Sequence, residues 1–240
     1  MDAFEAAITA RTRLFLLCNP HNPVGRVFEP HELARMAEVC LRHDLVICAD
    51  EIHCDLVYQG HPHRPIASLA PEIAQCTITL MAPSKTYNLA GLKCAFAIIP
   101  DTALREQFLA ARVDLVTTAN ILGYTAALAA YRDGQPWLDQ MRRYLEGNRD
   151  CIRQYVDAHL PGMTMGTPEG THLAWLDCRQ VNMPHNDPYT FFLEHAKVAL
   201  NDGDTFGPGG KGFVRLNFGC PRATLVQALD RMRQAVALLC

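Results

Sequence analysis

The 240-residue chain has no apolar run long enough to span a bilayer, for which a helix needs about 20 consecutive apolar residues. It also has no block of like charge: 22 Lys and Arg are interspersed with 25 Asp and Glu, for a formal net charge of −3. Without a basic face or run, neither nucleic acid nor an anionic membrane is expected as a partner. Cys-x-x-Cys is missing, although there are ten cysteines. They are scattered singly, several inside apolar runs (Cys18, Cys48, Cys94), as expected of reduced, mostly buried thiols in a cytoplasmic enzyme rather than of a disulfide framework. The first residues, Met-Asp-Ala-Phe-Glu, have neither a basic leader nor an apolar stretch, so no signal peptide is expected. Internal repeats, low-complexity tracts and a Gly/Pro-rich linker are absent as well; the 15 Gly and 15 Pro are spread through turns.

What remains is a chain that is 49% apolar, enough for one large domain or a domain with a smaller neighbour. Residues 1–10 have the pattern of a short amphipathic helix. Leu14–Cys18 is a continuous apolar run, as in a strand covered on both faces. It ends in Asn19-Pro20-His21-Asn22-Pro23-Val24-Gly25, a turn-forming segment. Pro30 then opens a helix with Glu32 in its first turn, and Leu33, Met36, Ala37, Cys40 and Leu41 recur at helical spacing. A second buried strand, residues 45–49, ends at Asp50-Glu51. Residues 14–50 therefore read as strand, helix, strand, with a right-handed crossover. Residues 58–71 read as loop, 76–81 and 94–99 as strands, and about 102–113, 119–133 and 136–158 as helices. After Pro161-Gly162 the spacing predicts strands at 171–176 and 213–218 and helices near 188–197 and 222–237. In the second strand Val214, Leu216 and Phe218 share one face, and Arg215 and Asn217 the other. The fold class expected is α/β: a mainly parallel sheet in a larger part, residues 1–135, a connecting helix at 136–160, and a small α+β domain at 161–240.

Several chemistry-bearing residues stand at strand ends or turns. Lys85, with Ser84 before it, follows the β-branched run 76–81. Ligands of parallel α/β sheets bind outside the carboxyl ends of the strands. A lysine that loses solvation there holds its amine neutral more readily and can attack a carbonyl, as in Schiff-base chemistry. Asn22 lies in the turn after the first strand, Asp50 ends the second with His53 just beyond, and Arg215 lies on a strand of the distal part. Each has a plainer reading alone: a turn-shaping Asn, a capping Asp, a satisfied core His, solvated Lys and Arg. Their joint occurrence weakens those readings. Gly207–Gly212 lacks the Ser or Thr after Lys that a phosphate loop requires and reads as a glycine-rich turn. His53, Cys54, His61 and His63 fit no usual zinc spacing, so no metal is expected. Asp50 and Glu51 are strand neighbours on opposite faces and do not form a carboxylate pair.

The phrases Asn19-Pro20-His21-Asn22-Pro23-Val24-Gly25-Arg26-Val27-Phe28, Ala49-Asp50-Glu51-Ile52-His53, Ala82-Pro83-Ser84-Lys85-Thr86-Tyr87-Asn88-Leu89-Ala90-Gly91, Glu169–Asp177 and Val214–Phe218 together resemble the fold-type I pyridoxal-phosphate enzymes of the class I/II aminotransferase superfamily. Within it the chain is most similar to the MalY/PatB-type cystathionine β-lyases, or cysteine-S-conjugate C–S lyases, from about Phe4 to Ala237. The resemblance implies an aspartate aminotransferase-like fold and pyridoxal 5'-phosphate (PLP) as cofactor. It implies that Lys85 holds PLP, that Asp50 pairs with the pyridinium nitrogen, and that Asn22 hydrogen-bonds the ring's 3′ oxygen. His53 occupies the place where many relatives carry a tyrosine contacting that oxygen. Ser84 would contact the phosphate, and Lys93 falls where many relatives place a phosphate-binding arginine. Arg215 would clamp the substrate α-carboxylate. Members of the family carry a further N-terminal portion that completes the phosphate cradle, and the complete protein is expected to be a homodimer acting on a small-molecule amino acid. The reaction implied is β-elimination from a sulfur amino acid. Transamination shares its first steps and stands as the alternative; a fragment or regulatory protein that retains the fold without turnover is the alternative of another class.

Overall fold

The computed structural model describes residues 2–113 and 118–239, and Met1, the first residue of the expected N-terminal helix, lies outside them. The chain falls into two compact units, one made of residues 1–20 and 27–139 and the other of residues 21–26 and 140–240.

The first unit is built on a four-stranded sheet. A short helix α1 (Asp2–Ala6) precedes strand β1 (Leu14–Cys18), and the Phe4 and Phe15 rings pack 4.6 Å apart. Helix α2 (Pro30–Arg42) starts where the sequence signals it: Pro30 occupies the first turn, and Glu29 and Glu32 form a reciprocal capping box, which satisfies backbone N–H groups that have no intrahelical partner. Strand β2 (Val46–Asp50) pairs parallel to β1, with Cys18 opposite Asp50. Helix α3 (Pro71–Gln75) leads into β3 (Thr77–Met81), parallel to β2, and the one-turn helix α4 (Pro83–Thr86) follows. Strand β4 (Phe96–Ile98) runs antiparallel to β3, so the order is β1-β2-β3-β4. Helices α5 (Thr102–Arg112), α6 (Ile121–Asp133) and α7 (Gln135–His159) come next, and the division between the units falls within α7.

The dry core of the first unit lies on one face of the sheet. Leu33, Ala37 and Cys40 of α2 lie against Leu17, Ile47 and Ala49, with Ile66 and Ile73 completing a dry core. Alternate residues of a strand face opposite ways, and on the other face Leu14 (48% exposed) and Leu16 (66%) of β1 remain open among the described residues. The unbroken apolar run of β1 therefore reads as a strand buried on both sides while its environment here is one-sided.

The second unit contains the rest of α7, whose Leu145, Ile152 and Val156 are buried at helical spacing. Its sheet is antiparallel, with β5 (Thr164–Met165), β6 (Leu173–Asp177), β7 (Asn201–Asp202) and β8 (Phe213–Asn217) in the order β5-β6-β8-β7. A short helix α8 (Pro188–Phe191) continues as a wider turn to Ala196, and α9 (Arg222–Val236) closes the fold through Leu225, Leu229, Met232 and Val236. The alternation expected in β8 holds: Val214, Leu216 and Phe218 are buried, Arg215 is partly exposed and Asn217 exposed. The glycine-rich turn before β8 has a steric basis. A Cβ at Gly210 would stand 1.9 Å from the Gly203 carbonyl oxygen, so only glycine allows the two backbones to meet.

One feature of α7 runs against helix propensity. Gly147 and Asn148 lie in mid-helix, where both are poor formers. Asn148 is fully buried; its Nδ2 donates to the Phe218 and Cys220 carbonyls at 2.9 Å each, and its Oδ1 accepts from Arg222 Nε at 2.6 Å. A Cβ at Gly147 would meet Arg222 Nη2 at 2.9 Å. The weak pair thus opens the surface on which the segment leaving β8 is docked.

Candidate active site

In the first unit the candidate residues collect at the carboxyl ends of parallel strands. Asp50 is the last residue of β2, and its Oδ1 accepts from Ile52 N at 3.3 Å. His53 follows in a buried turn, its carbonyl taking Leu56 N. Ser84 and Lys85 lie on α4, directly after β3. This turn is anchored through its neighbours rather than through the lysine. Thr86 is fully buried and its Oγ1 donates to Asp55 Oδ2 at 3.1 Å. The Tyr87 ring packs edge-on to Tyr131 at 5.5 Å and near Trp137 at 6.2 Å. Gly134 leaves the space that ring needs, since a Cβ there would stand 2.7 Å from it. Lys85 itself is exposed. The loss of solvation that its position suggests is not supplied by the described residues, because Pro83 and Thr86 occupy the inward positions of α4.

Lys93 is also exposed, at a left-handed backbone position (φ 50°) that closes the turn 90–92. Asn120 holds that turn through a 2.9 Å bond from its Nδ2 to the Leu92 carbonyl.

In the second unit the structure brings together two candidates 193 residues apart. Arg215 Nη1 donates to Asn22 Oδ1 at 2.7 Å, and Nη2 donates to Asn201 Oδ1 at 2.9 Å. The guanidinium carbon lies 4.9 Å from the Phe206 ring centroid, a cation–π contact. Desolvation by burial pulls the Arg215 pKa down from its ordinary value. Its Nε is buried without a hydrogen-bond partner, and among the described residues no carboxylate pairs with the group. The guanidinium is thus held by two neutral amides, with one donor left unpaired. Asn22 is placed by the segment 21–26. The Gly25 carbonyl accepts from Glu169 N and Gly170 N, Arg26 pairs with Glu169 at 3.4 Å, and Gly25 (φ +75°) lies where a Cβ would meet Pro168 at 2.6 Å.

Asn201 and Phe206 carry no sequence signal, because β7 is two residues long and Phe206 ends the short turn 203–206, neither of which shows periodicity. A second group that sequence reasoning passed over is a buried polar chain behind Asp50. His63 Nε2 lies 3.0 Å from Glu51 Oε2, His63 Nδ1 lies 3.4 Å from Asn19 Nδ2, and the Asn19 N–H donates to the Asp50 carbonyl at 3.0 Å. The partner of Glu51 is thus the loop histidine, not Asp50.

The sequence profile of the family "Aminotransferase class I and II" matches residues 1–232. The cystathionine β-lyase PatB of Bacillus subtilis (strain 168) is 40% identical over 225 residues, 93% of this chain and 58% of the relative. The protein MalY of Escherichia coli (strain K12) is 38% identical over 239 residues, 98% of this chain and 60% of the relative. A PLP-bound putative aminotransferase from Clostridium difficile 630 superposes with a TM-score of 0.94 at 38% identity, covering 98% of this chain and 61% of that one. The chain thus spans about three fifths of the length of the relatives it matches. The chain has part of an aspartate aminotransferase-like fold, and it belongs to the aminotransferase class I and II family.

Proposed function

We propose that the protein is a pyridoxal 5'-phosphate-dependent carbon–sulfur β-lyase, acting on cystathionine or a related cysteine S-conjugate to give a thiol, pyruvate and ammonia. The observation that carries the reading is Arg215, a guanidinium held by Asn22 and Asn201 with no carboxylate of its own. The residues present fit the cofactor. Asp50 has one backbone donor on Oδ1, which leaves carboxylate capacity for a pyridinium N–H. Asn22 Oδ1 accepts from Arg215, and its Nδ2 is the donor that would meet a ring oxyanion. Ser84 and Lys93 would supply a hydroxyl and a cation for the phosphate, and His53, three residues after Asp50 in sequence, would contact the ring's 3′ oxygen.

When bound, the cofactor supplies a protonated ring that takes up the electron pair left when the Cα–H bond breaks. The work of this chain's residues is positional and proton-transferring. Arg215 grips the α-carboxylate through a charge-assisted fork. Lys85 Nζ, exposed on a one-turn helix, takes the Cα proton as general base. Loss of the thiolate from Cβ and addition of water then give pyruvate and ammonia. Similarity to PatB favours elimination. Similarity to a putative aminotransferase keeps transamination as the second reading; it uses the same residues up to proton removal and differs in where the proton returns. The complete protein is read as a cytoplasmic homodimer, and the nine described cysteines, all free thiols, support a reducing compartment.

The test is an absorbance titration of the protein with PLP, wild type beside Lys85→Ala, followed by L-cystathionine without any oxo acid. A visible band in the wild type only, then pyruvate, is the expected result. A band that survives Lys85→Ala sinks the assignment of Lys85, and turnover only when a 2-oxo acid is added turns the reading to transamination.

A further inference from the structure

Behind Asp50, three buried polar side chains from three segments meet. Asn19 follows β1, Glu51 follows β2 and His63 lies in the loop before α3; Asn19 and Glu51 are each 1% exposed, and the His63 side chain 6%. Their hydrogen bonds fix one another's direction. The Phe28 N–H donates to Asn19 Oδ1 at 3.0 Å, so the Asn19 amide must turn its Nδ2 toward His63. An amide nitrogen carries only donors. His63 Nδ1, 3.4 Å away, therefore accepts, and the ring proton resides on Nε2. That N–H donates to Glu51 Oε2 at 3.0 Å, while Glu51 Oε1 accepts from Ile66 N at 3.2 Å. Donors arrive at both Glu51 oxygens, and an ionised carboxylate, which accepts and does not donate, satisfies both in full.

We infer that Asn19, His63 and Glu51 form a one-way hydrogen-bond relay, with His63 neutral and Glu51 ionised, that positions Asp50. The His63–Glu51 contact is thus a directed hydrogen bond to a carboxylate rather than an imidazolium ion pair. The relay brackets Asp50 on both sides. The Asn19 N–H donates to the Asp50 carbonyl, and the adjoining Glu51 N–H donates to the Leu80 carbonyl, each at 3.0 Å. Buried donors and acceptors are costly to leave unpaired, so the five linked groups hold β1, β2, the loop to Ile66 and the entry to α2 in one register. The consequence for cofactor binding rests on the role proposed for Asp50; the relay itself does not.

The arrangement makes opposite predictions for two near-isosteric changes. Glu51→Gln removes one acceptor, so either the His63 or the Ile66 donor goes unpaired. Asn19→Asp keeps the acceptor for Phe28 N–H and offers His63 Nδ1 a second carboxylate, so His63 should gain a proton and become an imidazolium. Both are read by nitrogen-15 NMR of histidine-labelled protein at neutral pH, together with amide hydrogen exchange and without cofactor. The expected result is an Nε2–H tautomer for wild-type His63 and an imidazolium in Asn19→Asp with exchange at residues 19 and 51 preserved. In Glu51→Gln, exchange at those two amides should rise about tenfold, the worth of roughly one lost hydrogen bond. Amides of β6 and β8 serve as the control and should not change. An Nδ1–H tautomer or an imidazolium in the wild type overturns the relay, and unchanged exchange in Glu51→Gln overturns its positioning role. A parallel PLP titration separates this from the functional reading. If the relay signatures hold but the wild type gives no Lys85-dependent band, the cofactor assignment fails and the relay stands.

Discussion

Replacing Asn148 by alanine tests whether the second unit is held as described. The change removes two bonds to backbone carbonyls, at Phe218 and Cys220, and one from the Arg222 guanidinium. A neutral hydrogen bond is worth about 1 kcal/mol net and one to a charged group about 1.5 kcal/mol at the low end, so the three together amount to about 3.5 kcal/mol. Alanine is the better helix former by about 0.6 kcal/mol, which leaves a destabilisation of about 3 kcal/mol. Urea unfolding followed by Trp175 fluorescence reports on this unit, since Trp175 is stacked on Phe213 at 5.2 Å. With a slope of about 2 kcal/mol per molar, the midpoint should fall by about 1.5 M. A double-mutant cycle with Arg222→Ala should show coupling of about 1 kcal/mol or more. A midpoint shift that helix propensity alone accounts for, or additive single mutants, would refute the claim that Asn148 docks the segment leaving β8.

Two further outcomes follow from the same geometry. Arg215→Lys keeps the charge but loses the planar fork that reaches both Asn22 and Asn201; KM for an amino-acid substrate should rise about tenfold or more, with a smaller change in kcat, and a fall in kcat alone would argue against carboxylate binding. Burial pushes the Cys178 thiol from 9.0 up to about 12, so at pH 8 only about one molecule in 10⁴ carries the thiolate that alkylating reagents need, and mass spectrometry should find Cys178 unlabelled in the native protein. Because this folded pKa is raised, the thiol's contribution to stability is complete below pH 9 and is lost as pH climbs from about 9 toward 12.

Much of the candidate site is legible without coordinates because its residues stand at local landmarks. Asp50 ends an apolar run, Lys85 follows a β-branched one, and Arg215 occupies the polar phase of an alternating strand. The exposure of Lys85 and of Leu14 and Leu16 was not legible. Composition states what a residue favours, whereas burial depends on which other segments reach it. The same holds for Asn201, whose two-residue strand is too short to show a period, and for Glu51, whose partner lies twelve residues away in a loop without pattern.

By itself the sequence determined the strand–helix–strand order of β1, α2 and β2, the helix start at Pro30 and the two faces of β8, because these follow from steric preferences and periodicities that act within a few residues. Tertiary structure alone decided that residues 21–26 belong with the second unit, that Asn22 meets Arg215, and that Asn19, His63 and Glu51 share one buried chain of hydrogen bonds. Those outcomes depend on donors and acceptors brought together from distant segments. Their pairing becomes obligatory only once packing has removed the water that would otherwise satisfy them.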